Sequence, residues 1–443
     1  MKVFKFGGAS VKDAAAVKNV ATILNRYPNE NIIVVVSAMG KVTNALERLT
    51  EAYFYPSKNE KIKKENSVTI LNEIKKYHFD IIEQLFPDKN HPIYNEINNS
   101  FVELEWAIED EPAQSYDHSY DQIVSLGEII STKIVNAYLN EAGISSKWWD
   151  VRDLIQTDNT YREGKVNWEL TQKLVNERLC PQFTSPPAPL HMERGEMAKV
   201  IVTQGFIGGT SENFTTTLGR EGSDYTAAIL AYTTNAESVT IWKDVPGVLN
   251  ADPKWFDKTI KLEQLAYQDA IELAYYGASV IHPKTIKPLQ NKKIPLYVKS
   301  FLNPQETGTL INEAQSPLAI PCFIFKMDQV LLSISPKDFS FIVEENFSDI
   351  YKLFAEEQIK INMMQNSAIS FSVCIDMDPG KLPGLIKMLQ KEYRVLYNEN
   401  LELITIRYYD QSTIERVTTG KKILLEVKSR YTVQMVVKNS GNS

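Results

Sequence analysis

Four segments of the chain combine residue types that can hold phosphate and a small charged molecule. Lys5-Phe6-Gly7-Gly8-Ala9-Ser10 directly follows the first strand-like run. Adjacent glycines let the backbone approach a ligand and aim its amides at anionic oxygens. Lys5 supplies a full charge, and a helix expected to start near Val11 would add the positive end of its dipole. A turn with a solvated lysine is the alternative for this segment alone. The second segment runs from Gly205-Phe206-Ile207-Gly208-Gly209 to Thr215-Thr216-Thr217-Leu218-Gly219-Arg220-Glu221-Gly222-Ser223-Asp224. Ser223 and Asp224 suit a helix N-terminus, so capping explains part of it. Three threonines, two glycines and an arginine at one helix start exceed what a cap needs. The third segment, Trp242-Lys243-Asp244-Val245-Pro246-Gly247-Val248-Leu249 and on to Lys254, also leaves a strand end. The fourth, Tyr276 to Pro283, contains His282, read as structural rather than catalytic.

The elements that must position these groups show in the hydrophobic pattern. Val3 to Phe6, Ile32 to Val36, Val200 to Thr203, Val239 to Trp242 and Pro295 to Val298 are short apolar runs of the buried-strand kind, separated by helical stretches. This alternation predicts a layered α/β fold with a largely parallel sheet, whose ligands lie outside the strands' carboxyl ends. From Thr43 to about Glu111 the spacing is helical, with Ile70, Ile74, Tyr77, Ile81 and Leu85 on one face. A further helix is predicted from Asp121 to Asn140, with Ile123, Ile130, Ile134 and Tyr138 on its buried side. Ser185 to Pro189 reads as a loop. A boundary falls between Asn303 and Pro321. Beyond it, strands at 330–333, 359–363 and 369–375 and helices at 349–357 and 382–391 give a β-α-β-β-α-β order. Strands at 403–408, 423–427 and 432–437 suggest a partial second unit.

Bulk properties narrow the function classes. A chain of 443 residues suggests two or three domains, and 43% hydrophobic with 23% charged residues suits a soluble globular protein. No stretch approaches the roughly 20 apolar residues of a membrane helix, and the chain opens on a strand rather than a signal peptide. Three widely spaced cysteines form no disulfide framework or metal pair, which points to a reducing cytoplasm. A net charge of -7 without a basic stripe argues against nucleic acid. Neither G-x-x-x-x-G-K-[ST] nor G-x-G-x-x-G occurs, and the five histidines lack metal-ligand spacing.

Taken in order, these segments resemble the amino acid kinase family, in its aspartate kinase branch. The family opens with lysine-phenylalanine-glycine-glycine-threonine-serine, matched at Lys5 to Ser10 except for Ala9. Its glycine-arginine-glycine-glycine-serine-aspartate is matched at Gly219, Arg220, Gly222, Ser223 and Asp224, with Glu221 in place of a glycine. Ser37-Ala38-Met39-Gly40 with Thr43, Ser125-Leu126-Gly127-Glu128, Trp149-Asp150-Val151-Arg152 and the stretch Asp244 to Pro253 match as well. The likeness covers about residues 1 to 310.

The resemblance implies a three-layer αβα catalytic domain over residues 1–305, a small ferredoxin-like ACT-like domain over 322–400 and a partial second such unit over 401–443. It implies phosphorylation of the side-chain carboxylate of L-aspartate by ATP with Mg²⁺, giving 4-phospho-L-aspartate for lysine, threonine and methionine biosynthesis. Lys5 would reach the transferred phosphate, oriented by Asp224. Glu128 would take the substrate ammonium and Arg220 its α-carboxylate, with Ser37, Thr43 and Ser223 adding hydroxyls. ATP contacts would fall on Lys5, Gly7, Gly8, Ser10, Lys243, Asp244, Leu249 and Lys254. No residue is assigned to the metal. Ser279 stands where the family commonly has a lysine. ACT-like modules imply a homodimer or higher homo-oligomer and an amino acid effector. Asn362 and Ala368 occupy positions where the lysine-sensitive pattern has acids, and Phe339 and Phe341 are bulky residues that would fill a ligand's space. A weak or absent lysine response is therefore expected. The alternatives are another amino-acid carboxylate kinase of the family and a non-catalytic amino-acid sensor. Presence of both Lys5 and Asp224 counts against the sensor.

Overall fold

The computed structural model describes residues 1–55, 67–109, 112, 115–183, 199–278, 281–314, 320–338 and 340–439. Ser185 to Pro189, Ser279 and Phe339 lie outside them. The chain divides into two compact units, one of Met1–Val248, Leu262–Ile271 and Val280–Ser316, the other of Leu249–Lys261, Glu272–Ser279 and Pro317–Ser443.

The strands of the first unit are β1 (Lys2–Phe6), β2 (Ile32–Val36), β3 (Ser146–Trp149), β4 (Val200–Gln204), β5 (Ile207–Gly209), β6 (Thr215–Thr217), β7 (Ser238–Lys243), β8 (Gln264–Ala266), β9 (Leu296–Ser300) and β10 (Thr309–Asn312). Eight of them form one sheet in the order β3-β4-β2-β1-β7-β9-β10-β8. Every pairing is parallel except β9 with β10. β2 and β4 are buried at every residue, as strands covered on both faces must be. From β1 the chain moves to β2 and β4 on one side, then returns to β7 on the other. The crevice outside the carboxyl ends of β1, β2 and β7 is thus a topological switch point, where open α/β sheets bind ligands.

The helical stretch after β2 comprises Val42–Phe54, Ser67–Leu85 and Ile93–Ala107. The helix predicted from Asp121 to Asn140 is two, Tyr116–Val124 and Leu126–Glu141. The second restarts so that Gly127 presses on the segment after β2. A methyl group on Gly127 would come within 2.9 Å of a Leu46 methyl and 3.1 Å of Ala38.

On Ser67–Leu85, Ile70, Ile74, Ile81 and Leu85 are buried as their spacing predicts, but Tyr77 is half-buried and His78 is fully buried. His78 Nδ1 lies 2.8 Å from the Ile74 carbonyl and so must donate to it, while Nε2 has no partner among the described residues. Burial pushes its pKa down to about 4. The unfolded chain binds this proton below about 6.5 and the folded chain does not until about 4, so stability is complete above 6.5 and falls as pH drops through that window. His78→Phe removes the effect. Urea titrations should show wild type losing about 1.4 kcal/mol per pH unit relative to the variant between pH 6.5 and 4.

The second unit holds β11 (Cys322–Pro336), β12 (Ile361–Asn366), β13 (Phe371–Asp376), β14 (Tyr393–Arg407), β15 (Lys421–Lys428) and β16 (Thr432–Asn439) in one antiparallel sheet, ordered β12-β13-β11-β14-β16-β15. β11 and β14 each serve two halves. Gln329 to Pro336 pair with the first part of β14 over the helices Glu344–Glu356 and Leu382–Glu392. Cys322 to Lys326 pair with Leu403 to Arg407 over the helix Gln411–Thr418. The second half therefore draws a strand from ahead of the first, and the pattern beyond Leu401 looked partial for that reason. Phe341 is 71% exposed.

Candidate active site

Lys5 ends its side chain 2.7 Å from Asp224 Oδ1, with exposures of 11% and 3%. Lys243, the last residue of β7, stands 3.8 Å from Asp224 Oδ2. Asp224 lies in the first turn of Gly222–Thr234. That helix is preceded by Glu221 in a left-handed conformation (φ 54°) without a side-chain cap bond. Asp224 is thus spent on two lysines and not on capping. The φ value also explains why glycine suits position 221, since a Cβ is strained there.

Gly8 permits a close approach of two backbone segments. A methyl group on it would lie 2.7 Å from the Gly40 carbonyl and 2.8 Å from that of Ala38. Gly40 N donates to the Gly8 carbonyl at 3.0 Å, locking the loops after β1 and β2 together. Gly7 sits against the lysine, its added methyl 3.3 Å from Lys5 Nζ. The helix expected at Val11 instead begins at Ala14, capped by Asp13, after a single 3₁₀ turn over Gly8–Val11. Asp13 accepts from Ala16 N at 2.8 Å, so the α-helix caps itself and starts three residues later than expected. Ser10 is buried, its hydroxyl 3.4 Å from the Trp242 carbonyl.

Glu128 enters from the first turn of Leu126–Glu141 and is 2% exposed. Its Oε1 accepts from Ala38 N at 3.3 Å, and its Oε2 has no partner among the described residues. Burial pushes its pKa up to about 8, against the pull of the Ala38 amide, its own amide and the Lys5 charge. Of its two oxygens only Oε1 has a hydrogen-bond partner among the described residues, so the buried carboxyl keeps one acceptor bare. Ser37 receives support from Ser131, whose hydroxyl donates to the Ser37 carbonyl at 2.7 Å. Thr43 is half-buried in the first turn of Val42–Phe54.

The threonine triplet of β6 does structural work. Thr215 Oγ1 accepts from Arg152 at 3.2 Å, Thr216 Oγ1 is 2.6 Å from Thr157 Oγ1, and Thr217 Oγ1 donates to Asp121 at 2.7 Å. These bonds fix the hairpin from which Arg220 projects. Arg220 is exposed and has no carboxylate partner among the described residues. Ser223 is buried in the same turn as Asp224. Asp244 is exposed just past β7. Leu249 and Lys254 fold with the second unit, and Lys254 is exposed. His282 caps Pro283–Asn291, its Nδ1 accepting from Lys284 N at 3.2 Å.

Sequence reasoning missed Asp121. It is fully buried and accepts from Arg162 N at 2.8 Å, Thr217 N at 2.9 Å and the Thr217 hydroxyl. Desolvation pushes its pKa up to about 6 despite those donors. The available signal was an acid two residues before Ile123, inside an apolar helical face.

A glycine cradle, a lysine held by a buried aspartate and a buried glutamate with one oxygen unbonded among the described residues, at a parallel-sheet switch point, define an α/β phosphoryl-transfer site. The model of the amino acid kinase family matches residues 1–300, and the chain belongs to that family. It is similar to the lysine-sensitive aspartokinase 3 of Escherichia coli, 29% identical over 98% of this chain and 92% of that protein. It is also similar to the chloroplastic aspartokinase 1 of Arabidopsis thaliana, 30% identical over 86% of this chain and 64% of the longer relative. Among solved structures, E. coli aspartokinase III in complex with aspartate and ADP (R-state) matches with a TM-score of 0.80 and 26% identity, covering 100% of this chain and 97% of that one. The Clostridium acetobutylicum aspartate kinase shares the fold at a TM-score of 0.71 and 20% identity.

Proposed function

We propose that the chain is an aspartate kinase, transferring the γ-phosphoryl group of ATP to the side-chain carboxylate of L-aspartate. The observation that carries this reading is the pairing of a lysine-bearing glycine cradle with Glu128, a buried acid awaiting an ammonium. A carboxylate with an ordinary pKa near 4 is already the nucleophile at neutral pH, so no general base is required. The difficulty is charge: an anion must meet a polyanion, and catalysis is positioning plus electrostatic stabilisation. Lys5, aimed by Asp224, meets the transferred phosphoryl oxygens, with Gly7 and Gly8 amides and Ser10 lining the cradle. Lys243 adds charge beside it, and Asp244, Leu249 and Lys254 are proposed nucleotide contacts. Glu128 takes the α-ammonium, Arg220 the α-carboxylate as a fork, and Ser37, Thr43 and Ser223 offer hydroxyls.

Among the described residues no three His, Cys, Asp or Glu side chains are grouped to hold a metal. Asp224 is already neutralised by lysines. The donor set fits Mg²⁺ held by nucleotide phosphates and water, where it would neutralise phosphate charge. The second unit is proposed as a pair of ACT-like modules through which copies associate. Asn362 spends its amide on Lys326, Gln329 and Asp376, which supports a weak lysine response. Only three cysteines, widely spaced along the chain, fit a reducing cytoplasm.

The test is an assay with ATP and a panel of amino acids, trapping the acyl phosphate with hydroxylamine. Hydroxamate from aspartate alone supports the proposal; none from any amino acid sinks it. Within that assay, Arg220→Lys should raise the aspartate KM about tenfold and leave the ATP KM within twofold, because lysine keeps the charge and loses the planar fork. Equal effects on both substrates would put Arg220 on the nucleotide.

A further inference from the structure

The groups proposed to read the two ends of the amino acid sit on separate segments. Glu128 lies seven residues beyond Asp121 in sequence, on the next helix. Arg220 lies three residues beyond Thr217, at the exit of the β5–β6 hairpin. One buried carboxylate joins them. Asp121 accepts from Thr217 through both amide and hydroxyl, and from the amide of Arg162, which is held at a φ of 66°. The rest of Arg162 extends the junction. Its guanidinium lies 4.2 Å from the Tyr120 ring centroid and 3.5 Å from Glu47, one helical turn from Thr43. Gly164 N donates to the Thr217 carbonyl at 2.8 Å, closing the loop onto the hairpin.

We infer that Asp121 is a positioning residue for amino acid binding, fixing the separation between the Glu128 carboxylate and the Arg220 guanidinium. This rests on the reading of those two groups given above. A capping role alone would not need one acid to gather three donors from two separate segments, the end of β6 and the residues around Arg162. Asparagine keeps the shape and loses the charge: its one oxygen can take the two amides that Oδ2 now accepts, but those bonds are no longer charge-assisted and the Thr217 hydroxyl must turn to accept from the NH₂.

The experiment is full steady-state kinetics of Asp121→Asn and Thr217→Val, with hydrogen exchange over residues 158–164 and 215–220. Asp121→Asn should raise the aspartate KM about tenfold, with kcat within threefold and the ATP KM within twofold, since a group displaced by a lost charged hydrogen bond costs about a factor of ten. Exchange should quicken in both loops. Thr217→Val, which removes one donor of three, should raise the aspartate KM about threefold and serves as the test if Asp121→Asn does not fold. An unchanged aspartate KM in a folded variant, or a matching rise in the ATP KM, overturns the inference. Failure of wild type to phosphorylate any amino acid would instead overturn the functional reading beneath it.

Discussion

Lys5→Ala should lower kcat by about 10²–10³, the usual cost of removing one preorganised charge from a transition state. The structure adds a second expected effect. Asp224 is 3% exposed, and without Lys5 its nearest cation is Lys243 at 3.8 Å. Breaking a mostly buried pair leaves a charge uncompensated, so the variant should also lose about 2–4 kcal/mol of stability. The double variant Lys5→Ala/Asp224→Asn separates the two. It removes the orphaned charge, so Tm should recover while kcat stays low. Turnover within threefold of wild type in either variant would rule out the role of Lys5 in phosphoryl transfer. Recovery of kcat together with Tm would mean that the loss was structural.

Glu128→Gln should raise stability and remove amino acid binding together. The folded-state pKa of Glu128 is raised from 4.5 to about 8 by burial. Its contribution to stability is therefore complete below 4.5 and is lost as pH rises toward 8, because the unfolded chain releases a proton that the folded chain retains. At pH 7 this amounts to roughly 3 kcal/mol, which a neutral amide of the same shape does not incur. Tm of the free protein should rise by roughly 5 °C at pH 7, with no gain at pH 4. The aspartate KM should increase about 10²-fold, since glutamine offers the ammonium no charge. The same linkage sets a pH dependence in wild type. Binding an ammonium favours the ionised acid, so aspartate affinity should climb with pH up to about 8 and binding should release a proton. Calorimetry in buffers of different ionisation enthalpy measures that proton directly. Pairing of destabilisation and function in one residue is the expected cost of a site built for a ligand's charge.

Strands β1, β2, β4, β7 and β9 were legible because each is a contiguous apolar run, and contiguous runs carry their own burial signal. Lys5, Gly7, Gly8, Arg220 and Asp224 stood out for the same local reason: glycines and charges cluster at strand ends. Boundaries were less legible. The helix at Val11 gave way to a 3₁₀ turn because Asp13 offers a better cap two residues on. The helix from Asp121 broke at Ser125 because Gly127 must press on Ala38 and Leu46. β3 and β8 were missed, being short runs of mixed polarity at or near the sheet's edges.

Sequence alone determined the chemistry available: a lysine and paired glycines after β1, an arginine and an aspartate at one helix start, and an α/β frame to present them. Tertiary structure decided what each group was used for. Ala38 meets Glu128 across 90 residues and leaves its second oxygen bare. Thr217 meets Asp121 across 96 and turns a threonine triplet from a ligand motif into a brace. Cys322 to Lys326 reach past a whole module to complete the sheet of the next. The physical reason is common to all three. Propensity and amphipathic spacing act over a few residues and are written in the local sequence. Desolvation, which sets the charge state of Glu128 and Asp121, depends on which distant segments exclude water from them.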